Sequence, residues 1–323
     1  MSSAPTLEAQ TLETLVRDFS VDGLSWERGP GGLHVLSVRT EQCEARMFTH
    51  GAHVASWTPA GERPGLHLSP RSAFDANKAI RGGVPVCFPW FGARTDDPQP
   101  HGKPSPAHGF ARTRPWRVER VATEDNGRIV VDMMLEDSED TRALWDACFE
   151  AVLTASLGQT LQVGLRIRNR GEREFEFEEA LHTYIEVGDV ERVRVQGLEG
   201  TRFIDKVDAQ KEKRHGREPL MLTGETDSVF HGTKSAIVVD DPALERSIRV
   251  DKSGSRTTVV WNPWLVKATT VPDIGGDAWR SFVCVEAANT GRNRVPLPPG
   301  AVHEMTTRLT VTSQKPRGDE HVR

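Results

Sequence analysis

FEAVLTASL (149–157), LQVGLRIRN (161–169) and EFEFEEALHTYIEV (174–187) follow one another along the chain, separated only by Gly158-Gln159-Thr160 and Arg170-Gly171-Glu172-Arg173. Apolar residues recur mostly at every second position. Successive side chains of an extended strand point to opposite faces, so this period marks strands with one face turned to a core. Working outward, LHVLSV (33–38), EARMF (44–48), WRVERV (116–121) and RIVVDMML (128–135) show the same habit, with turn signals at Asn126-Gly127, Gly158-Gln159 and Arg170-Gly171. Many short strands at close spacing predict an all-β, antiparallel β-sandwich. Parallel α/β architecture is disfavoured, because a helical period occurs only near the start. There Leu7, Leu12, Leu15, Val16 and Phe19 follow Pro5 and Thr6 and predict a short amphipathic helix over 6–19.

The chain has 323 residues, 37% hydrophobic and 27% charged, and its 41 Lys+Arg against 46 Asp+Glu leave a formal charge of −5. At roughly 150 residues per domain the length suits about two domains or one large sandwich. No linker or composition shift marks a boundary, so the expected organisation is an extension over 1–29, a sandwich over 30–312, and a disordered tail over 313–323. The mildly acidic balance, without long runs of like charge, gives no footprint for nucleic acid or an anionic membrane. An anionic ligand must then be held by local arginines. Cys43, Cys87, Cys148 and Cys284 show no C-x-x-C pair and read as thiols of a reduced compartment. With neither a secretory signal nor a membrane-spanning apolar run, the expected location is cytoplasmic.

Two stretches break the strand rhythm. CFPWFGARTDDPQPHGKPSPAHGFARTRPW (87–116) carries six prolines, which remove ladder donors and predict an ordered loop lining a site. WNPWLVKATTVPDIGGDAW (261–279) gathers aromatics around Asn262-Pro263. Trp57, Trp90, Trp116, Trp261, Trp264 and Phe110 can serve either as core or as sugar-stacking platforms.

Four side chains carry candidate chemistry on the residues alone. Parity puts His182 on the polar face of 174–187 with Ala180, Tyr184 and Glu186, either as an ordinary sheet histidine or as a proton-transfer group. Glu286 closes the apolar run SFVCV and reads either as a rim carboxylate or as a buried base with a raised pKa. Arg81 and Arg112 sit beside flexible loop residues, where guanidinium forks could meet phosphate or carboxylate oxygens. His50-Gly-Ala-His53 lacks the spacing of a metal pair, and no nucleotide-binding, hydrolase or metal motif is present, so neither metal nor cofactor is expected.

The segments HGAHVASW (50–57), AIRGGVPVCFPWFG (79–92), AHGFARTRPW (107–116), LHTYIEVGD (181–189), TDSVF (226–230), VVWNPW (259–264) and FVCVEAAN (282–289), taken in order, resemble the hexose-6-phosphate mutarotases, the glucose-6-phosphate 1-epimerases of the aldose 1-epimerase superfamily. The resemblance implies a galactose-mutarotase-like supersandwich, a sugar phosphate as small-molecule partner, and a monomer. It implies that His182 is the general acid and Glu286 the general base. Asp227 would bind sugar hydroxyls, Arg81 and Arg112 the substrate and its phosphate, and His108 would border the sugar. Ala107 stands where the family often has glutamine. Arg94, Arg114 and Lys267 could add to a phosphate pocket, and Asp205 in FIDK is taken as structural. The competing expectations are a mutarotase of unphosphorylated aldoses and a non-catalytic sugar-binding protein of the same fold. A glycosidase is disfavoured because a histidine holds the position of a second acid.

Overall fold

The computed structural model describes residues 10–94 and 104–314. Its largest sheet has nine strands, in the spatial order Leu220–Met221, Arg194–Gln196, Ile237–Asp241, Arg246–Ser253, Val302–Ser313, Leu161–Asn169, Phe149–Leu157, Ile129–Glu136 and Arg117–Thr123. The second, of eight strands, runs Lys211–Arg214, Arg202–Asp205, Thr226–His231, Thr257–Asn262, Phe282–Asn289, Glu179–Leu181 and Val86–Cys87, with Tyr184–Glu186 also pairing Phe282–Asn289. A four-stranded sheet follows chain order, Leu24–Arg28, His34–Arg39, Cys43–Phe48 and His53–Pro59. Neighbouring strands are antiparallel throughout these sheets, as the sequence period required.

The alternation of 149–169 translates directly into packing. Phe149, Ala151, Leu153, Ala155 and Leu157, then Leu161, Val163, Leu165 and Ile167, are all buried in one cluster with Met305 and Leu309. Val283, Val285, Leu181 and Ile185 enter the same cluster from the eight-stranded sheet. Each large aliphatic side chain buried there contributes about 1.5–3 kcal/mol. A polar tether also crosses between the sheets: fully buried Glu179 accepts from Asn289 Nδ2 at 2.8 Å and from His303 Nε2 at 2.7 Å through the same Oε1.

The predicted strand 174–187 is broken into Phe175–Phe177, Glu179–Leu181 and Tyr184–Glu186. The first pairs Val295–Leu297, whereas the other two pair Phe282–Asn289. The break at His182 and Thr183 arises because His182 N turns to Pro85 O at 3.0 Å while Val285 N bonds Thr183 O at 3.1 Å. The N-terminal helix spans Leu12–Asp18, capped by Thr11 and anchored by buried Leu15; the part expected over 6–9 lies outside the described residues. Leu24–Arg28, within the expected extension, is hydrogen-bonded to His34–Arg39. Two helices without a sequence signal, Glu139–Leu144 and Trp264–Thr270, are too short for a helical period to register. Much of the expected tail, and residues 95–103 of the proline-rich loop, also lie outside the described residues.

Candidate active site

His182 is not on an open polar face. It is 6% exposed, in the break between two strands of the eight-stranded sheet. In that sheet Phe282–Asn289 is buried along its whole length, and Cys87, Ala180, Val229, Val259 and Ala288 form a second apolar cluster with Phe91 and Ile204 packed against it. The parity of 174–187 nevertheless holds for neighbours, since His182 and Tyr184 project together and their rings stack at 4.9 Å and 11°. Trp261 on the strand Thr257–Asn262 meets His182 edge-on at 5.8 Å, and His108 does so at 5.7 Å from the opposite loop.

Glu286 lies within the strand Phe282–Asn289 and is 1% exposed, so the rim position is ruled out. Its Oε1 stands 3.4 Å from His182 Nε2. Neither Glu286 oxygen finds a hydrogen-bond partner among the described residues, nor does His182 Nδ1. Burial, reinforced by the Asp227 carboxylate, pushes the Glu286 carboxyl well above 4.5. Burial, then the neighbouring His108 and the cations Arg112 and Arg81, hold His182 well below 6.5. Both shifts oppose charge in the pair, since burial favours an uncharged imidazole and a neutral carboxylic acid.

The cations come from loops. Arg81 precedes Gly82 and Gly83, which have φ of +107° and +62°; a Cβ on Gly83 would stand 2.2 Å from Val54 O. Only glycine permits that close crossing, and it fixes Arg81 at the sheet edge. Arg81 Nη1 donates to Tyr184 Oη at 3.0 Å and Nε to Asp273 Oδ2 at 3.0 Å. Arg112 Nη2 donates to Ala107 O at 2.8 Å, while its buried Nε has no partner among the described residues. A buried donor without a partner costs about 1–3 kcal/mol, which makes Arg112 Nε, His182 Nδ1 and the Glu286 oxygens coherent signs of a ligand site.

Asp227 begins the next strand, Thr226–His231, and burial raises its pKa against the pull of Lys206 and Lys267. Lys206 Nζ lies 3.9 Å from Asp227 Oδ1 and 4.7 Å above the Phe91 ring. Sequence reasoning passed over Lys206, although it adjoins Asp205 in FIDK. His108, at φ +62°, accepts from Gly92 N at 3.3 Å through Nδ1 and meets Phe91 edge-on at 4.7 Å. The site thus brings together His182, Glu286, Arg81, Arg112, Asp227 and His108, with Tyr184, Asp273 and Lys206 added.

Other expected contributors have partners of their own, Lys267 while still acting on Asp227. Arg94 bonds Leu144 O and lies over Trp90; Arg114 faces Asp140 at 3.8 Å; Lys267 pairs with Glu225 at 2.7 Å. Asp205 accepts from Lys213 at 2.8 Å and caps the following turn, a structural part. Trp57, Trp116 and Phe110 are core, and Trp264 packs on Trp279. Of the six aromatic platforms considered, Trp261 is the one seen against His182. No group of three His, Cys, Asp or Glu side chains suited to a metal occurs among the described residues.

A buried acid and base 3.4 Å apart suit two oxygens on one carbon, one losing a proton as the other gains it. Comparison with known proteins points the same way. The aldose 1-epimerase family pattern matches residues 34–310. A candidate glucose-6-phosphate 1-epimerase of Escherichia coli (strain K12) is 38% identical over 256 residues, covering 79% of this chain and 83% of that protein. One from Salmonella typhimurium is 35% identical over 280 residues, covering 87% and 90%. The crystal structure of a candidate mutarotase from Salmonella typhimurium superposes with a TM-score of 0.83 at 32% identity, over 91% of this chain and 95% of that one.

Proposed function

From the premise that the chain belongs to the aldose 1-epimerase family, we propose that it interconverts the α and β anomers of a hexose 6-phosphate, glucose 6-phosphate foremost. The observation that carries this is the buried His182–Glu286 pair, 3.4 Å apart, beside Arg81 and Arg112. Mutarotation opens the pyranose by removing the proton of the anomeric hydroxyl and protonating the ring oxygen, two oxygens borne by the same carbon. Glu286 takes the first proton and His182 delivers the second. From the uncharged form of the pair, passing a proton from Glu286 to His182 across 3.4 Å sets up carboxylate and imidazolium without drawing on solvent.

After opening, Glu286 is a carboxylic acid and His182 a neutral imidazole, so Glu286 returns a proton to the carbonyl oxygen as His182 takes one from the 5-hydroxyl, closing the ring on either face of the rotated aldehyde. Each group contributes about 10²–10⁴-fold by general catalysis. Asp227 accepts from sugar hydroxyls, and His108 closes the sugar's side. Arg81 and Arg112 meet the phosphate dianion, compensating it in a protein of charge −5.

The enzyme is proposed to act as a cytoplasmic monomer. No helix among the described residues is long and apolar enough to cross a membrane. The test is NMR exchange between the anomers of glucose 6-phosphate and, separately, of free glucose. Acceleration of the phosphorylated sugar is the expected result. Acceleration of free glucose alone supports the neutral-aldose mutarotase, and acceleration of neither sugar supports the non-catalytic binding protein.

A further inference from the structure

Tyr184 is the single tyrosine of the chain and is 1% exposed. It touches the two halves of the site with different atoms. Its ring lies parallel to the His182 imidazole and is itself wedged by Trp261 at 6.0 Å and Phe282 at 5.1 Å. Its hydroxyl accepts from Arg81 Nη1 at 3.0 Å, while Asp273 holds the same guanidinium through Nε at 3.0 Å.

A histidine that moves protons usually has its second ring nitrogen tied to an oxygen that fixes the ring plane. His182 Nδ1 has no such partner among the described residues. Flat contact with Tyr184, closed at the edges by Trp261 and His108, is what fixes that plane here. The Arg81 fork, in turn, is aimed by two oxygens, one of which is the phenol. We propose that Tyr184 is a positioning residue with two separable functions: the ring orients His182 for proton transfer, and the hydroxyl orients Arg81 for the phosphate. This rests on the roles assigned to His182 and Arg81 above.

The two functions come apart by substitution. Tyr184→Phe keeps the stack and removes only the oxygen, so KM for glucose 6-phosphate should rise about tenfold, as for loss of a hydrogen bond to a charged group. Its kcat should stay within about threefold of wild type. Asp273→Asn weakens the other hold on Arg81 and should move KM in the same direction. Tyr184→Leu removes the stack, and kcat should fall about 10²-fold, the scale set by misplacing a catalytic group.

A readout independent of turnover accompanies these assays. The His182 ring protons lie in the shielding field of the tyrosine face, so their NMR resonances should move downfield in Tyr184→Leu and stay nearly still in Tyr184→Phe. Phenylalanine and leucine variants with the same kcat and KM, or His182 resonances unmoved by leucine, overturn the proposal. Should the leucine variant fail to fold by circular dichroism, Tyr184→Phe and Asp273→Asn decide it through the split between KM and kcat. Wild-type protein that leaves glucose 6-phosphate anomers unaccelerated sinks the catalytic assignment instead, and the ring-proton shift then tests the stacking function by itself.

Discussion

Glu286→Gln separates chemistry from stability at one atom. The carboxyl is 1% exposed, neither oxygen has a hydrogen-bond partner among the described residues, and burial with the Asp227 charge favours its neutral form. An amide of the same shape therefore forfeits no hydrogen bond, and with the neutral carboxyl favoured its stability cost should stay within about 1 kcal/mol. For a chain of this size that is a change in Tm of no more than about 2–4 °C. The chemistry is affected very differently, because an amide cannot take the proton of the anomeric hydroxyl. Loss of a general base lowers the rate about 10²–10⁴-fold, which at 1.36 kcal/mol per tenfold is about 2.7–5.4 kcal/mol of transition-state stabilisation. The assay is anomer exchange of glucose 6-phosphate by NMR after subtraction of spontaneous mutarotation, with thermal melting on the same samples. A variant within threefold of wild-type kcat refutes the assignment. So does one that melts more than about 10 °C lower, since Glu286 would then be holding the fold.

Glu179 is the contrasting carboxylate, buried but tied to Asn289 and His303: Glu179→Ala should cost about 3–5 kcal/mol in a urea melt, with kcat of the folded fraction near wild type. Because burial and the cations Arg112 and Arg81 hold His182 well below 6.5, its ring resonances should titrate at lower pH than a free imidazole in an NMR pH series; a midpoint at or above 6.5 would show a solvated, ordinary histidine. Arg112→Ala should weaken glucose 6-phosphate at least tenfold, the weight of a charge-assisted hydrogen bond, while free glucose is little changed. Equal loss for both sugars in KM measurements would remove Arg112 from the phosphate.

What could be read before folding depended on how many faces of a strand are buried. Phe149–Leu157 has one face in the core, so its alternation gave both its limits and its inward residues. The strands Glu179–Leu181 and Tyr184–Glu186 both pair with Phe282–Asn289, which is buried throughout, so polar-looking parity misjudged exposure: His182 is buried. Parity still named the right companions, because His182 and Tyr184 do share a face. Glu286 and Val259 are opposite each other in register, a pairing no local pattern contains. Asp273, in a turn nearly two hundred residues from Arg81, left no sequence signal at all, since only the fold brings that turn to the guanidinium. The aromatic alternatives stayed open for a related reason: tryptophan spacing does not distinguish a core side chain such as Trp57 from Trp261 beside His182.

The strand Val302–Ser313 sits in the interior of the nine-stranded sheet, between Leu161–Asn169 and Arg246–Ser253. Every other strand of that sheet precedes it in the sequence. During synthesis the sheet therefore waits as two unsealed halves, each with a raw hydrogen-bonding edge facing the gap, until this strand arrives and zips both. Pairings across so much chain are slow to find, and such edges invite neighbouring chains in the meantime. A nonsense mutation just before Val302 would thus remove the keystone of the sheet and leave two adhesive edges, making insoluble protein the expected product even though His182, Glu286, Arg81 and Arg112 would already have been made.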